Sequence, residues 1–443
     1  MPIMPLSRHL STLLILASIQ ATPAQAQKPS ALNDCNTGSY TLTDGSMLDI
    51  STAPAGDWRW RTLDGRFGPV NSAEQIPTHA NEVNLTIQAQ TCESISVSSS
   101  ESGEQQGNRL AFEQIESEFA GDNERLTGRL VLPLNVERLS IVVMVHGSEA
   151  TSAVQFNAWQ RLLPTMGVGV FVYDKRGTGG STGEYTQDFR LLANDATAAA
   201  EEARRLAGDR LESLSFLGTS QGGWVAPLAA TQTPVDRVIV AYGLAISPND
   251  EDREQVLLEM TALGYADADL AEADEVARAA GVLMASGFRE GFGEYARVRK
   301  AYGSRPWFSQ ITGEYTGDIL GYPSPVLRLL APIARRVGNQ GTTWDYDPMP
   351  VLNALTVPQL WVIAGDDTEA PPATTLSRLS DLQREGKPVT ILEFPNTDHG
   401  IVEFVEIDGN RVSTRVADGY LRAVVDFARV GELMETDYGA ATR

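Results

Sequence analysis

Cysteine is almost missing from this chain. Its 443 residues contain two, Cys35 and Cys92. With so few, they read as one disulfide formed in an oxidising compartment, the alternative being two separate buried thiols. Closing that loop contributes roughly 4 kcal/mol on the chain-entropy account. Neither cysteine lies in a catalytic context, so a cysteine nucleophile is excluded. Histidine is nearly as scarce, at four. Cations are outnumbered: 35 Lys and Arg stand against 57 Asp and Glu, a formal net charge of −22, and no basic run stands out. Such a field repels nucleic acid and anionic membranes, and neither is expected as a partner. Past the N-terminus no stretch of eighteen residues is apolar, so no membrane span is expected. Repeats at solenoid or propeller periods are also lacking.

The first residues read as an address. Arg8 and His9 precede the apolar run Leu10 to Ile19, and Ala24-Gln25-Ala26 is a small-x-small cleavage pattern. The run is too short to span a bilayer and suits a signal peptide over 1–26, with release at Gln27. No cysteine stands at that new N-terminus to carry a lipid. The expected location is secreted or periplasmic.

Residues 27–107 read as a small β module and linker. Ser39-Tyr40-Thr41-Leu42 and Glu82 to Ile87 alternate polar with apolar, and Asp44-Gly45, Asp64-Gly65 and Gly68-Pro69 mark turns. The polar segment Ser98 to Gly107 reads as a linker or exposed loop. Trp58, Trp60 and Phe67 read as the module's core, a sugar-stacking platform being the alternative.

From 108 to 443 strands alternate with helices, the pattern of a mostly parallel sheet covered on both faces. The strand-like runs are Leu139 to Val145, Val168 to Tyr173, Leu214 to Leu217, Val238 to Tyr242, Gln359 to Ile363 and Val389 to Phe394. An antiparallel pair, Ala111 to Phe119 and Leu126 to Leu132, precedes them, and Leu191 to Leu206 is helical. The rhythm breaks at about 247–347, where Glu254 to Leu263 and Leu270 to Ala285 read as helices of a cap over an active site.

Chemistry-bearing residues fall at the ends of these strands. Gly218-Thr219-Ser220-Gln221-Gly222 follows an apolar strand and precedes a small-residue helix, Ala226 to Ala230. A nucleophile on a sharp strand-to-helix turn needs small neighbours, and the turn lifts the hydroxyl clear of the sheet. Ser220 is therefore the expected nucleophile. It needs a general base. His9 leaves with the leader, His79 lies in the β module, and His146 ends the first parallel strand, which leaves His399 just past the last one. The carboxylate that orients it is expected between nucleophile and base. In Gly365-Asp366-Asp367-Thr368-Glu369 the choice is Asp367 over Asp366, with Glu369 third. Asp398 reads as a solvated loop residue. Two backbone N–H groups should hold the oxyanion: Gln221, after the nucleophile, and Ser148, in the loop after the first parallel strand.

Val145-His146-Gly147-Ser148, Tyr173 to Ser181, Gly218 to Trp224 and Asp398-His399-Gly400 together resemble the signature segments of the α/β-hydrolase superfamily, in its order Ser, Asp, His. The chain is most similar to secreted bacterial members related to the prolyl-oligopeptidase-like and acyl-transfer branches. The resemblance covers about Asn108 to the C-terminus. It implies an α/β fold with an eight-stranded, mostly parallel sheet and a cap between its sixth and seventh strands. It further implies ester, thioester or peptide substrates, no metal or organic cofactor, and a structural role for Asp174 and Arg176. Ser148-Glu149 departs from the glycines often found in that loop, and no β-propeller fits before the hydrolase domain.

The expected reaction is hydrolysis of carboxylic esters through an acyl-enzyme. One alternative is a serine aminopeptidase or dipeptidyl peptidase, in which Glu149, Glu251 or Glu254 would meet the substrate's charged amine. Another is a binding protein on a retired hydrolase scaffold.

Overall fold

The computed structural model describes residues 32–70, 85–99, 103–337, 341–434 and 437–443. The expected leader over 1–26, with His9, and His79 of the module lie outside the described residues.

The N-terminal module is a seven-stranded antiparallel sheet: β1 (Gly38–Leu42), β2 (Met47–Thr52), β3 (Trp58–Thr62), β4 (Phe67–Pro69), β5 (Thr86–Ala89), β6 (Ser94–Ser99) and β7 (Gly103–Arg109), ordered β4-β3-β2-β1-β7-β6-β5. Tyr40, Leu48, Ile50, Trp60, Ile87, Ile95 and Val97 form its core. Trp60 is buried and cannot serve as a stacking surface. Cys35 and Cys92 form a disulfide, S–S 2.01 Å.

Part of the segment read as a linker or exposed loop is strand. Ser99 pairs with Gly103 across a hairpin, and β7 runs between β6 and β1. The segment is nearly all polar because most of its side chains face solvent, so it shows no apolar alternation. Gly107 lets it close on Ile95 and Leu42: a Cβ there would lie 2.8 Å from Ile95 Cγ1.

A second sheet has eight strands: β8 (Phe112–Ala120), β9 (Arg125–Pro133), β10 (Leu139–Val145), β11 (Gly169–Tyr173), β12 (Leu211–Thr219), β13 (Arg237–Ala241), β14 (Gln359–Ala364) and β15 (Val389–Phe394). Their order is β15-β14-β13-β12-β10-β11-β9-β8. β10 to β15 pair in parallel, and the β8–β9 hairpin joins β11 antiparallel. β10 and β14 are buried along their whole length and are apolar but for Ser140 and Gln359, as strands covered on both faces must be. Helices Phe189–Ala207 and Gly222–Ala230 cover one face, and Trp159–Thr165 and Tyr420–Val430 the other. β11 and β12 lie on opposite sides of β10, so the strand order reverses there. A crevice opens at the carboxyl ends of strands at such a point.

Between β13 and β14 the chain builds a helical cap with its own core around Val256, Tyr295 and Trp307. Its first helix, Pro248–Ala262, starts earlier than the apolar pattern suggests. Ser247 accepts from the Asp250 N–H and Pro248 takes the first helical position. After β15 come β16 (Thr397–Asp398), β17 (Val402–Ile407) and β18 (Asn410–Val416), a small antiparallel sheet. The module's contacts with the second sheet's domain include the pair of buried Asp49 with Arg161 at 2.6 Å and the bond from Val416 N–H to Gly65 O at 2.9 Å. Among the described residues no helix is long and apolar enough to cross a membrane.

Candidate active site

β12 delivers Ser220 on a turn so sharp that its φ is +51°, inside the region a side chain normally avoids. The Ser220 N–H bonds Ala241 O at 3.1 Å, and Ser220 O accepts from Gly223 N–H at 2.7 Å. Small residues are compulsory around it. A Cβ on Gly218 would lie 2.1 Å from Gly222 O, and one on Gly222 would lie 1.9 Å from Val145 O.

His399 follows β16. Its Nε2 lies 3.1 Å from Ser220 Oγ and its Nδ1 lies 2.9 Å from Asp367 Oδ2. With Asp367 accepting from Nδ1–H, Nε2 is left to accept the serine proton. Asp367 is 2% exposed, and its other oxygen accepts from the N–H groups of Glu369 and Ala370 at 3.0 and 2.8 Å. Burial disfavours the imidazolium, but the hydrogen bond and charge of Asp367, with Glu369 and Asp398 nearby, outweigh it. The His399 pKa therefore stands above its ordinary value. The Tyr242 ring packs edge-on against the imidazole, centroids 4.9 Å apart.

The two competing aspartates are separated by what they touch. Asp366 is exposed, and its carboxylate accepts from Asn396 N–H at 2.9 Å. Asp398 differs from its expected role as a solvated loop residue. It accepts from Thr368 N–H, His399 N–H and Arg411, tying the acid loop, the base loop and β18 together. These donors overcome burial and hold it below the usual carboxylate range.

Gln221 heads the helix Gly222–Ala230, so its N–H is one that a helix leaves without an internal partner. The loop carrying Ser148 lies against the nucleophile: a Cβ on Gly147 would sit 3.3 Å from Ser220 Cβ. His146 is buried, and its Nε2–H donates to Tyr173 O, 3.2 Å away. Burial, then the neighbouring Lys175 charge, push its pKa down to about 4.

The cap contributes carboxylates within electrostatic range of Asp367, Glu369 and His399, only some of which are legible in the sequence. Glu251, in the first turn of the cap helix, is pushed well up by burial and then by Glu314, Glu369 and Asp367. Burial, then Glu369 and Asp252, raise Glu314 to about 7. Buried Asp252 holds the loop that carries Glu314, accepting from the N–H groups of Tyr315 and Thr316 at 2.8 and 3.0 Å. Glu369 Oε1 lies 3.8 Å from His399 Nε2. Of the three acids named from sequence, Glu251 lies within electrostatic range of Asp367 and Glu369. Glu149 lies beside His146, its carboxylate 3.8 Å from Nδ1, and Glu254 bonds Thr374. Glu314 lies in a loop without periodicity, so no pattern marked it. Among the described residues no group of three or more His, Cys, Asp or Glu is arranged to hold a metal ion.

The family model for serine aminopeptidase, S33, matches residues 137–263. No curated protein matches the chain. Similar solved structures include an esterase of Pyrococcus furiosus at 13% identity, covering 65% of this chain and 84% of that one, TM-score 0.41. An acylaminoacyl peptidase of Pyrococcus horikoshii is 16% identical, with 92% and 58% covered and TM-score 0.45, so this chain spans little more than half of its length. Proline iminopeptidase of Mycobacterium smegmatis is 18% identical, with 65% and 92% covered and TM-score 0.40. Six parallel strands extended by an antiparallel hairpin, a cap between β13 and β14 and a serine turn after β12 give this chain the α/β-hydrolase fold.

Proposed function

We propose that this protein is a serine hydrolase that cleaves carboxylic acyl bonds through an acyl-enzyme, esters being the first substrate class. The observation that carries the reading is the continuous hydrogen-bond chain Ser220–His399–Asp367. His399 takes the hydroxyl proton as Ser220 Oγ attacks the carbonyl carbon, and Asp367 holds the imidazolium. The N–H groups of Gln221 and Ser148 receive the oxyanion, the leaving group departs with the proton, and water repeats the sequence on the acyl-enzyme. An alkoxide leaving group asks least of this machinery, which favours esters. The same reading has the enzyme act outside the cytoplasm, secreted or periplasmic, and the Cys35–Cys92 disulfide supports that.

One observation favours a second substrate class. Glu251, Glu314 and Glu369 lie within electrostatic range of one another, and Glu369 Oε1 is 3.8 Å from His399 Nε2. Such a carboxylate cluster suits an acyl group carrying a free amine, the substrate of an aminopeptidase, which the matched family is named for.

Hydrolysis of p-nitrophenyl esters from acetate to dodecanoate and of aminoacyl p-nitroanilides, by wild type and Ser220→Ala, tests both. Turnover that falls at least about 10⁴-fold in the variant is expected. Equal turnover in the two proteins sinks the nucleophile assignment. A folded wild type that neither turns over any substrate nor reacts with a fluorophosphonate is a retired scaffold.

A further inference from the structure

Lys175 follows β11 and is buried, 3% exposed. A buried ammonium ordinarily has a carboxylate partner, but no ion pair holds Lys175 among the described residues. Instead Nζ donates to the backbone carbonyl of Gly147 at 2.5 Å, and the charge lies 5.1 Å from the centre of the Tyr185 ring. The Tyr185 hydroxyl in turn donates to the carbonyl of the next residue, Ser148. Two neighbouring side chains thus grip two successive peptide groups of a loop that lies against Ser220.

The grip has a directional consequence. The Gly147–Ser148 peptide is trans, as are all peptide bonds among the described residues, so its carbonyl and the Ser148 N–H point in opposite directions. Drawing the Gly147 carbonyl toward Lys175 turns the Ser148 N–H to the other side. A cation on the carbonyl also polarises the peptide and strengthens its N–H as a donor. We infer that Lys175 and Tyr185 are positioning residues for the oxyanion site, fixing and polarising the Ser148 N–H that meets the developing negative charge. The inference rests on the acyl-transfer reading.

The groups facing the Lys175 ammonium are the His146 imidazole and Glu149 carboxylate of the β10 loop and the Tyr185 ring, with Asp174 and Arg176 beside it in sequence. Asp174 is occupied by Ser152 and the N–H groups of Val154 and Gly180, and Arg176 by Asp195. Burial lowers the Lys175 pKa to about 8, with Glu149 opposing the fall. Loss of its proton weakens the grip as pH rises through that value.

The test compares wild type, Lys175→Met and Tyr185→Phe on p-nitrophenyl acetate, alongside inhibition by an alkyl trifluoromethyl ketone. Ser220 Oγ adds to that ketone's carbonyl carbon, the carbonyl electron pair becomes the oxyanion, and the serine proton passes to His399. Lys175→Met is expected to lose about 100-fold in kcat, the scale of one oxyanion donor, with KM within about twofold. Its affinity for the ketone should weaken by the same factor. Tyr185→Phe keeps the ring over the ammonium and is expected to lose about tenfold. Wild-type kcat should decline above about pH 8, and Lys175→Met should lack that limb.

Folded Lys175→Met with kcat within threefold of wild type overturns the inference, as does a drop in kcat that leaves ketone affinity unchanged. If Lys175→Met does not fold, Tyr185→Phe and the wild-type alkaline limb decide the matter by the same criteria. A wild type without any Ser220-dependent turnover overturns the acyl-transfer reading itself, an outcome separate from the others.

Discussion

On the sheet side of the site, Asp367 is buried among three donors, the N–H groups of Glu369 and Ala370 and the His399 ring, and Asp398 is held ionised by Thr368, His399 and Arg411. On the cap side, burial and then mutual repulsion push Glu251 and Glu314 the other way, toward holding a proton near neutral pH. Both sides carry carboxylates shielded from water, so burial alone does not separate them. Their charged neighbours do: Asp398 lies beside Arg411, whereas Glu251 and Glu314 lie in the field of other carboxylates. A carboxylate crowded by others has a charge state that an arriving cation can change. The sheet side reads as machinery and the cap side as recognition, joined at Glu369, which belongs to the acid loop yet approaches His399 Nε2.

Breaking the sheet side should have the largest effect. Asp367→Asn leaves the shape intact but takes away the acceptor that fixes the His399 tautomer. The expected loss in kcat is about 10⁴-fold. Asp366→Asn removes only a carboxylate bonded to Asn396 N–H at the surface, and its kcat should stay within about twofold. Parallel kinetics on one ester with both variants check the contrast. Equal losses would mean that the two aspartates share the role.

The cap side should respond to substrate charge. Glu251→Gln and Glu314→Gln remove charge at nearly constant volume. Each should raise KM for an aminoacyl nitroanilide about tenfold, near 1.4 kcal/mol, and leave p-nitrophenyl acetate unchanged within twofold. A similar loss on both substrates would assign these glutamates to folding of the cap and remove the support for an amine substrate.

The sheet side was also the more legible in sequence, for the same physical reason. β10 and β14 are wholly buried and so appear as runs that are apolar but for Ser140 and Gln359. A nucleophile at +51° in φ enforces the glycines that betray it, and four histidines leave few choices for the base. Spacing could rank Asp366 and Asp367 but not separate them, because which one turns inward depends on the Asn396 N–H of a loop thirty residues away. β7 was hidden by its polarity, and the loop role of Asp398 by its distance from Arg411. Lys175 and Glu314 carried no signal. Their chemistry comes from what the fold places beside them: a carbonyl in one case, other carboxylates in the other.

The finest distinction between the two sides is in the acid limb of kcat/KM. His399 acts as base only when neutral, so activity on any substrate is lost as pH falls through its pKa. That pKa is raised by Asp367, so the limb should lie above the ordinary histidine value of 6.5. On a neutral ester one proton is enough to stop the reaction, and the logarithmic slope should be one. An aminoacyl substrate needs Glu314 ionised as well. Its pKa of about 7 means that protonation near the same pH removes the amine's partner too, and the slope should approach two. Profiles from about pH 5 to 9 on both substrates measure the difference. Glu314→Gln should return the aminoacyl profile to a slope of one at a lower kcat/KM. If both substrates give the same slope in wild type, Glu314 does not titrate with binding, and the cap's acidity serves something other than recognition of a cation.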